Sequence, residues 1–223
     1  MTAMPDLVTR REGDASLATL VWRLPTTSRC AATASIGGGL VDCAWIVNAQ
    51  VPHGYARSDL DAHGVEIATT LGLTGIGVVM LTAVDVSHHH TAEYEDATAT
   101  ATVGISDPTW AAEPLKGALV TRDVPAPAGT VNVFVSLPEP IAPGGLLNLI
   151  GTITEAKCQA FADFAVSGTG TPSDAVTVIC PNRDPVDRFG GPRSVWGSRA
   201  ACAAYDAIAA GLHDWRERHG TPC

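Results

Sequence analysis

Charge is scarce in this chain. Asp, Glu, Lys and Arg make up 17% of its 223 residues, and no basic cluster exceeds the Arg10-Arg11 pair. With a net charge of −9, it lacks the electrostatic footprint of a nucleic-acid binder. Long apolar runs are missing too: stretches such as Gly75–Ala83 are too short to cross a bilayer. The opening MTAMPDLVTRREGDAS carries Asp and Arg where a secretory signal has its apolar core. The expectation is a soluble, cytoplasmic protein with no membrane insertion.

Metal and nucleotide signatures are also missing. Cys30, Cys43, Cys158, Cys180, Cys202 and Cys223 form no CxxC pair, which argues against a zinc knuckle and for buried reduced thiols. There is no HExxH, GxSxG, GxGxxG or P-loop sequence. His88, His89 and His90 are consecutive, and on a strand neighbours point to opposite faces, so they read as a solvated turn before Thr91. His53, in a loop after a strand, is a better placed polar residue. We expect neither metal nor cofactor.

Hydrophobic residues at 46% define a chain able to bury a sizeable core. β-rich runs occur at Leu17–Leu24, Arg29–Ser35, Ala44–Val51, Gly77–Val84, Thr98–Ile105, Thr130–Leu137 and Ala175–Cys180. Helical patterns occur at Ser58–Leu71, Pro143–Phe164 and Ser194–Arg218. In the first, Leu60, Val65, Ala68 and Leu71 are read as the apolar face, with Ser58 or Asp59 as N-cap. In the last, Ala200, Ala204, Ile208 and Leu212 recur, and Arg216 and Arg218 suit the C-terminal end of the helix dipole.

This predicts an α+β fold, a mixed sheet with about three main helices. Residues 1–14 are expected to be frayed, and 15–223 to form one domain. Two segments share an outline, strand, Asn, helix, Gly/Thr turn, strand: Ala44–Val84 with Asn48, and Thr130–Cys180 with Asn132. They suggest an internal duplication. Ser106–Gly129, with four prolines, reads as a long loop of the kind that often covers a ligand.

The densest chemistry lies in Gly151–Pro181. Thr154 and Lys157 are three apart and share a helix face; the spacing resembles that of hydrolases in which an amine activates a hydroxyl. Glu155 offers a general base for water, and a solvated helix face is the plain alternative. The turns Gly37-Gly38-Gly39 and Gly168-Thr169-Gly170 can supply backbone amides to an anion, or be turns and nothing more. Asp42, Asp85, Asp174 and Asn48 sit at predicted strand ends, where such folds collect chemistry or cap turns.

Six segments then line up in order: GGGL; D-x-A-x-x-x-N-x-x-V-P-x-G-Y from Asp42 to Tyr55; MLTAVD; GTVNVFV; L-x-x-I-x-T-x-TEAK from Leu147 to Lys157; and SGTGT-x-x-DAV from Ser167 to Val176. Together with the final Ala-rich helix they resemble the adenosylcobinamide amidohydrolases. The chain departs from that pattern at Ser35-Ile36, where the family usually has Asn or a similar polar residue, and at Gly190–Ser198, where the family is commonly basic.

The resemblance implies hydrolysis of the amide joining a corrin propionyl side chain to 1-amino-2-propanol, yielding adenosylcobyrate. A corrinoid-binding protein without turnover, or a hydrolase of another bulky amide, are the competing expectations. In the expected site, Glu155, Lys157, Thr154 and Asp174 are catalytic, with Asp174 orienting the lysine. Gly37, Gly38, Gly39, Asn48, Asp85, Gly168, Thr169 and Gly170 bind substrate.

Overall fold

The computed structural model describes residues 4–113 and 129–220. Eight strands and three helices follow in the order β1 (Asp6–Glu12), β2 (Ala15–Ala32), β3 (Gly39–Gln50), α1 (Leu60–Thr70), β4 (Gly77–Thr82), β5 (His90–Tyr94), β6 (Ala97–Val103), β7 (Val131–Ser136), α2 (Pro143–Asp163), β8 (Ala175–Pro181) and α3 (Val195–His219). The result is the expected α+β fold built on a mixed sheet. Most of the predicted Ser106–Gly129 loop lies outside the described residues.

One sheet runs β4-β3-β2-β8-β7-β6-β5, with β1 beside the first part of β2. β2 is long enough for β1 to pair with Ala15–Val21 and β8 with Ser28–Ala32. The two runs read separately from the sequence are this one strand, which slips register against β3 between Arg23 and Ser28. Exposed Pro25 lies in that slip, where no ladder donor is required.

Period-two alternation then sorts side chains into layers. Leu20, Trp22, Ile46, Val78 and Met80 meet Phe134 and Ile179 in a cluster between the two halves of the sheet. Their neighbours Val21, Trp45, Val47 and Val79 pack outward against Ile67 of α1. Val133, Val135, Val178 and Cys180 pack outward on the other side, against α2 and the Ala-rich face of α3. The chain is therefore layered helix, half-sheet, half-sheet, helices. Trp22 and Phe134 stack across the middle with ring centroids 4.3 Å apart. No helix among the described residues is long and apolar enough to cross a membrane.

Both strand–helix–strand units are present, each closing on a parallel pair, β3 with β4 and β7 with β8. Their asparagines meet in the middle layer, where Asn132 Nδ2 donates to Asn48 Oδ1 at 2.9 Å.

Three expectations need correction. The first concerns residues 1–14: β1 is formed over Asp6–Glu12, closed by a two-residue turn with Gly13 at φ +58°, a backbone state glycine adopts freely. The run of charges masks the strand, because Arg10 is only 4% exposed and is satisfied by Glu12, Thr19 and the Gln50 carbonyl. The second concerns α1, whose buried residues are His63, Gly64 and Ile67, with Val65 exposed; five residues from Leu60 carry Val65 well round the helix. The third is the histidine run: exposed His88 ends a 3-10 turn as expected, but half-buried His90 begins β5, and both lie within 4 Å of Asp214.

Phe134 is the β7 side chain in the cluster between the half-sheets, fully buried and stacked on Trp22. Phe134→Ala is expected to destabilise the protein by about 3–5 kcal/mol, measured as a lowered midpoint in urea denaturation.

Candidate active site

α2 turns one face to the core, carrying Ile153, Ala156, Lys157 and Ala160. Pro143 at its start fits a position where no amide donor is needed. After the helix, Ala165 adopts φ +50° and Val166 N returns to the Phe161 carbonyl at 2.8 Å, which aims the chain into the Ser167–Thr171 turn. Thr109 pairs with that turn: its amide donates to the Gly170 carbonyl, and its carbonyl accepts from Thr169 N, both at 2.8 Å. Gly168 is required for this approach, since a Cβ there would lie 2.8 Å from the Thr109 carbonyl oxygen.

Beneath the turn, the Lys157 ammonium pairs with Asp174 Oδ2, and both side chains are about one-tenth exposed or less. Asp174 also accepts from Thr171 N at 3.0 Å, Thr171 Oγ1 at 2.5 Å and Val131 N at 2.8 Å. Four donors, one of them cationic, occupy both oxygens. Asp174 is thus an organiser of the wall rather than a free base. Gly170 makes room for the pair, because a Cβ there would stand 2.5 Å from both Lys157 Nζ and Asp174 Oδ2.

Other residues singled out from sequence fall elsewhere. Glu155 is exposed, about 200° round α2 from Lys157. The Thr154 hydroxyl donates to the Ile150 carbonyl at 2.8 Å, within its own helix. Cys158 Sγ donates to the Thr169 carbonyl at 3.2 Å, bracing the turn. The amides of Gly168, Thr169 and Thr171 are engaged by Val166, Thr109 and Asp174, so three donors of that turn already have partners. Gly37 and Gly38 answer a packing need: a Cβ would come within 2.2 Å of the Gly77 carbonyl oxygen and 2.1 Å of that of Ala34. Asp85 caps the 3-10 turn at Val86–His88 by accepting from Ser87 N at 2.9 Å. Burial pushes its pKa up, but the Ser87 bonds prevail and hold it below the usual range. Asn48 is buried and donates to Thr102 at 2.9 Å. His53 is exposed.

Two adjoining recesses open beside Asp174. One, about 250 Å³, is lined by Thr33–Ser35, Met80, Leu81 and Ser173–Ala175. The other, about 210 Å³, includes Tyr55, Leu81, Thr82, Gly129, Thr130 and Ser173 in its lining. Leu81 and Ser173 belong to both. The Leu81 carbonyl accepts from Asn132 Nδ2 at 3.2 Å, so the buried asparagine pair supports the shared rim.

Sequence reasoning missed one constellation on this rim. The Tyr55 hydroxyl lies 2.6 Å from His63 Nδ1, and His63 Nε2 lies 3.2 Å from Glu12 Oε2, which Arg10 also holds. Burial pushes Glu12 up, yet the bonds from Arg10 and His63 outweigh it and keep its pKa below the usual carboxylate range. Burial pushes the Tyr55 phenol up. The only local signal was the Val-Pro-x-Gly-Tyr segment. Among the described residues, no group of three or more His, Cys, Asp or Glu is arranged to hold a metal ion.

The family model described as adenosylcobinamide amidohydrolase matches residues 4–220. The chain is similar to a protein of that name from Methanosarcina mazei, with 26% identity over 191 residues, covering 82% of this chain and 89% of the relative. It is also 31% identical to one from Halobacterium salinarum over 137 residues, 60% of this chain and 58% of the relative. Among solved structures, a β-aminopeptidase from Burkholderia sp. aligns at TM-score 0.45 with 14% identity, over 96% of this chain and 83% of that one.

Lys157→Met strands a buried carboxylate and is expected to cost about 3–5 kcal/mol of stability. Gly170→Ala, which wedges the same pair apart, acts in the same direction. Glu155→Gln on the exposed face stays within about 0.5 kcal/mol. Thermal and urea unfolding of the three variants provide the check.

Proposed function

The chain belongs to the adenosylcobinamide amidohydrolase family, and from that premise we propose that it hydrolyses the amide joining the corrin propionyl side chain of adenosylcobinamide to 1-amino-2-propanol. The products are adenosylcobyrate and the free amino alcohol. One observation carries the reading to a place on the molecule. The two recesses are lined by residues of four separate family-like segments: Val51–Tyr55, Met80–Ala83, Gly129-Thr130 and Ser173–Ala175. A fifth segment, TEAK, reaches the same place through the Lys157–Asp174 pair.

Recesses of about 210 and 250 Å³ suit the amide and its aminopropanol arm, with the much larger macrocycle resting outside. Amide hydrolysis requires activated water or a nucleophile, stabilisation of the developing oxyanion, and a proton for the leaving nitrogen. In this reading Lys157 supplies positive charge behind the Gly170-Thr171 wall, and Asp174 holds that wall in register. Thr130 and Ser173, whose hydroxyls are 2.9 Å apart, line the cleft as polar contacts for the amide or the amino alcohol. A salvage step that returns a corrinoid to synthesis is a cytoplasmic reaction.

Mass spectrometry of adenosylcobinamide incubated with the pure protein tests the reading. Equimolar adenosylcobyrate and 1-amino-2-propanol are expected. Bound but intact adenosylcobinamide across a range of pH would overturn it and favour a corrinoid-binding role.

A further inference from the structure

We propose that Glu12, His63 and Tyr55 form a proton relay ending in the cleft, with the Tyr55 oxygen taking the proton of the water that attacks the substrate amide. The inference rests on the amidohydrolase reading for its substrate, but its geometry stands on the structure alone. Three elements build it: β1 carries Glu12, α1 carries His63, and the loop after β3 carries Tyr55.

The direction of the relay follows from hydrogen-bond inventory. Glu12 is a carboxylate that accepts from Arg10 and can only accept from His63. His63 therefore carries its proton on Nε2, which leaves Nδ1 as a lone pair, and that lone pair receives the Tyr55 O–H at 2.6 Å. The phenol oxygen keeps its own lone pairs for a further donor. This is the order of a serine–histidine–carboxylate triad, with a phenol in place of the serine hydroxyl.

The histidine is held rather than merely near. It is 1% exposed, its ring stacks on Tyr55 with centroids 5.3 Å apart, and Gly64 beside it admits Ile36 so closely that a Cβ would lie 2.6 Å from Ile36 Cγ2. Tyr55 itself lines the recess that shares Leu81 and Ser173 with the Asp174 wall. Arg57, bridged to Asp59 and Glu66, brings three further charges near this cluster, and Arg10 faces it through Glu12.

The step balances. Water gives a proton to the Tyr55 oxygen as the phenol proton passes to His63 Nδ1, and the new hydroxide oxygen bonds to the amide carbon. The imidazolium is stabilised by Glu12. As the C–N bond breaks, the proton returns through Tyr55 to the leaving nitrogen, so the products are acid and amine with no net change in the protein. Tyr55 is the catalytic residue in this scheme; His63 and Glu12 are positioning residues.

The test uses the full chain with Tyr55→Phe, His63→Gln and the double variant, each checked for folding by circular dichroism. Each single change is expected to lower kcat by about 10²–10⁴-fold with KM changed only a few-fold. The double variant should be no slower than the slower single, as residues acting as one unit behave. Near-normal kcat in folded Tyr55→Phe, or losses that multiply in the double variant, would overturn the relay. Nitrogen NMR of the free wild-type protein reads it independently of turnover: His63 protonated on Nε2 is expected, and a neutral ring protonated on Nδ1 sinks the proposal. Wild-type protein that makes no product, with the Nε2 form present, counts against the amidohydrolase reading instead.

Discussion

The Asp174 carboxylate is the constraint on which this end of the molecule depends. It ties the start of β7 through Val131, the turn before β8 through Thr171, and the middle of α2 through Lys157. A buried ion pair gains little over an apolar pair, because desolvation cancels most of its attraction. Its value lies in what happens when it is incomplete, since a carboxylate left in that place without donors is strongly disfavoured. All four donors converge where α2, β7 and the glycine turn meet. The pair thereby selects a backbone register in a region otherwise filled by small residues and threonines.

The same logic explains why small residues cluster there. A Cβ at Gly168 would strike Thr109, and one at Gly170 would strike both members of the pair. Glycine in these places permits close approach, and most of the amide donors in the turn then find partners within the fold. An oxyanion-binding role read from glycine content alone overlooks that accounting, which a buried backbone must satisfy.

How much was legible in the sequence depended on distance along the chain. Strands such as β7 and β8, buried on both faces, announce themselves as short runs rich in Val and other β-formers bounded by turn residues. β1 did not, because Arg10 and Glu12 read as solvated charges until Arg10 is seen to bond Thr19 and the Gln50 carbonyl, and Glu12 to bond Arg10 and His63. Lys157 and Asp174, 17 residues apart in neighbouring segments, were expected to act together, with Asp174 orienting the lysine, but the space left by Gly170 that lets them meet is a tertiary fact. Glu155 and Thr154 were chosen by adjacency to Lys157, and helix rotation sends one to solvent and the other to its own backbone. Glu12 and His63 are 51 residues apart, so no local pattern could have joined them.

The two strand–helix–strand units give the cleft its two walls by different routes. In the first unit the wall comes from the chain leaving β3 for α1 and the end of β4, which places Tyr55, Leu81 and Thr82. In the second it comes from the approach to β7 and the chain arriving at β8 from α2, which places Thr130, Ser173 and Asp174. The C-terminal ends of β3 and β4 thus face the N-terminal ends of β7 and β8 across the cleft. Asn132 spans the gap, donating both to Asn48 and to the Leu81 carbonyl, so the two walls share one buried polar joint. Each wall also has its own anchor behind it, an ion pair under the glycine turn and a histidine–carboxylate pair under Tyr55. Rigid walls set from behind and polar groups at the rim are what an amide-cleaving site requires, because the groups must be in place before charge develops.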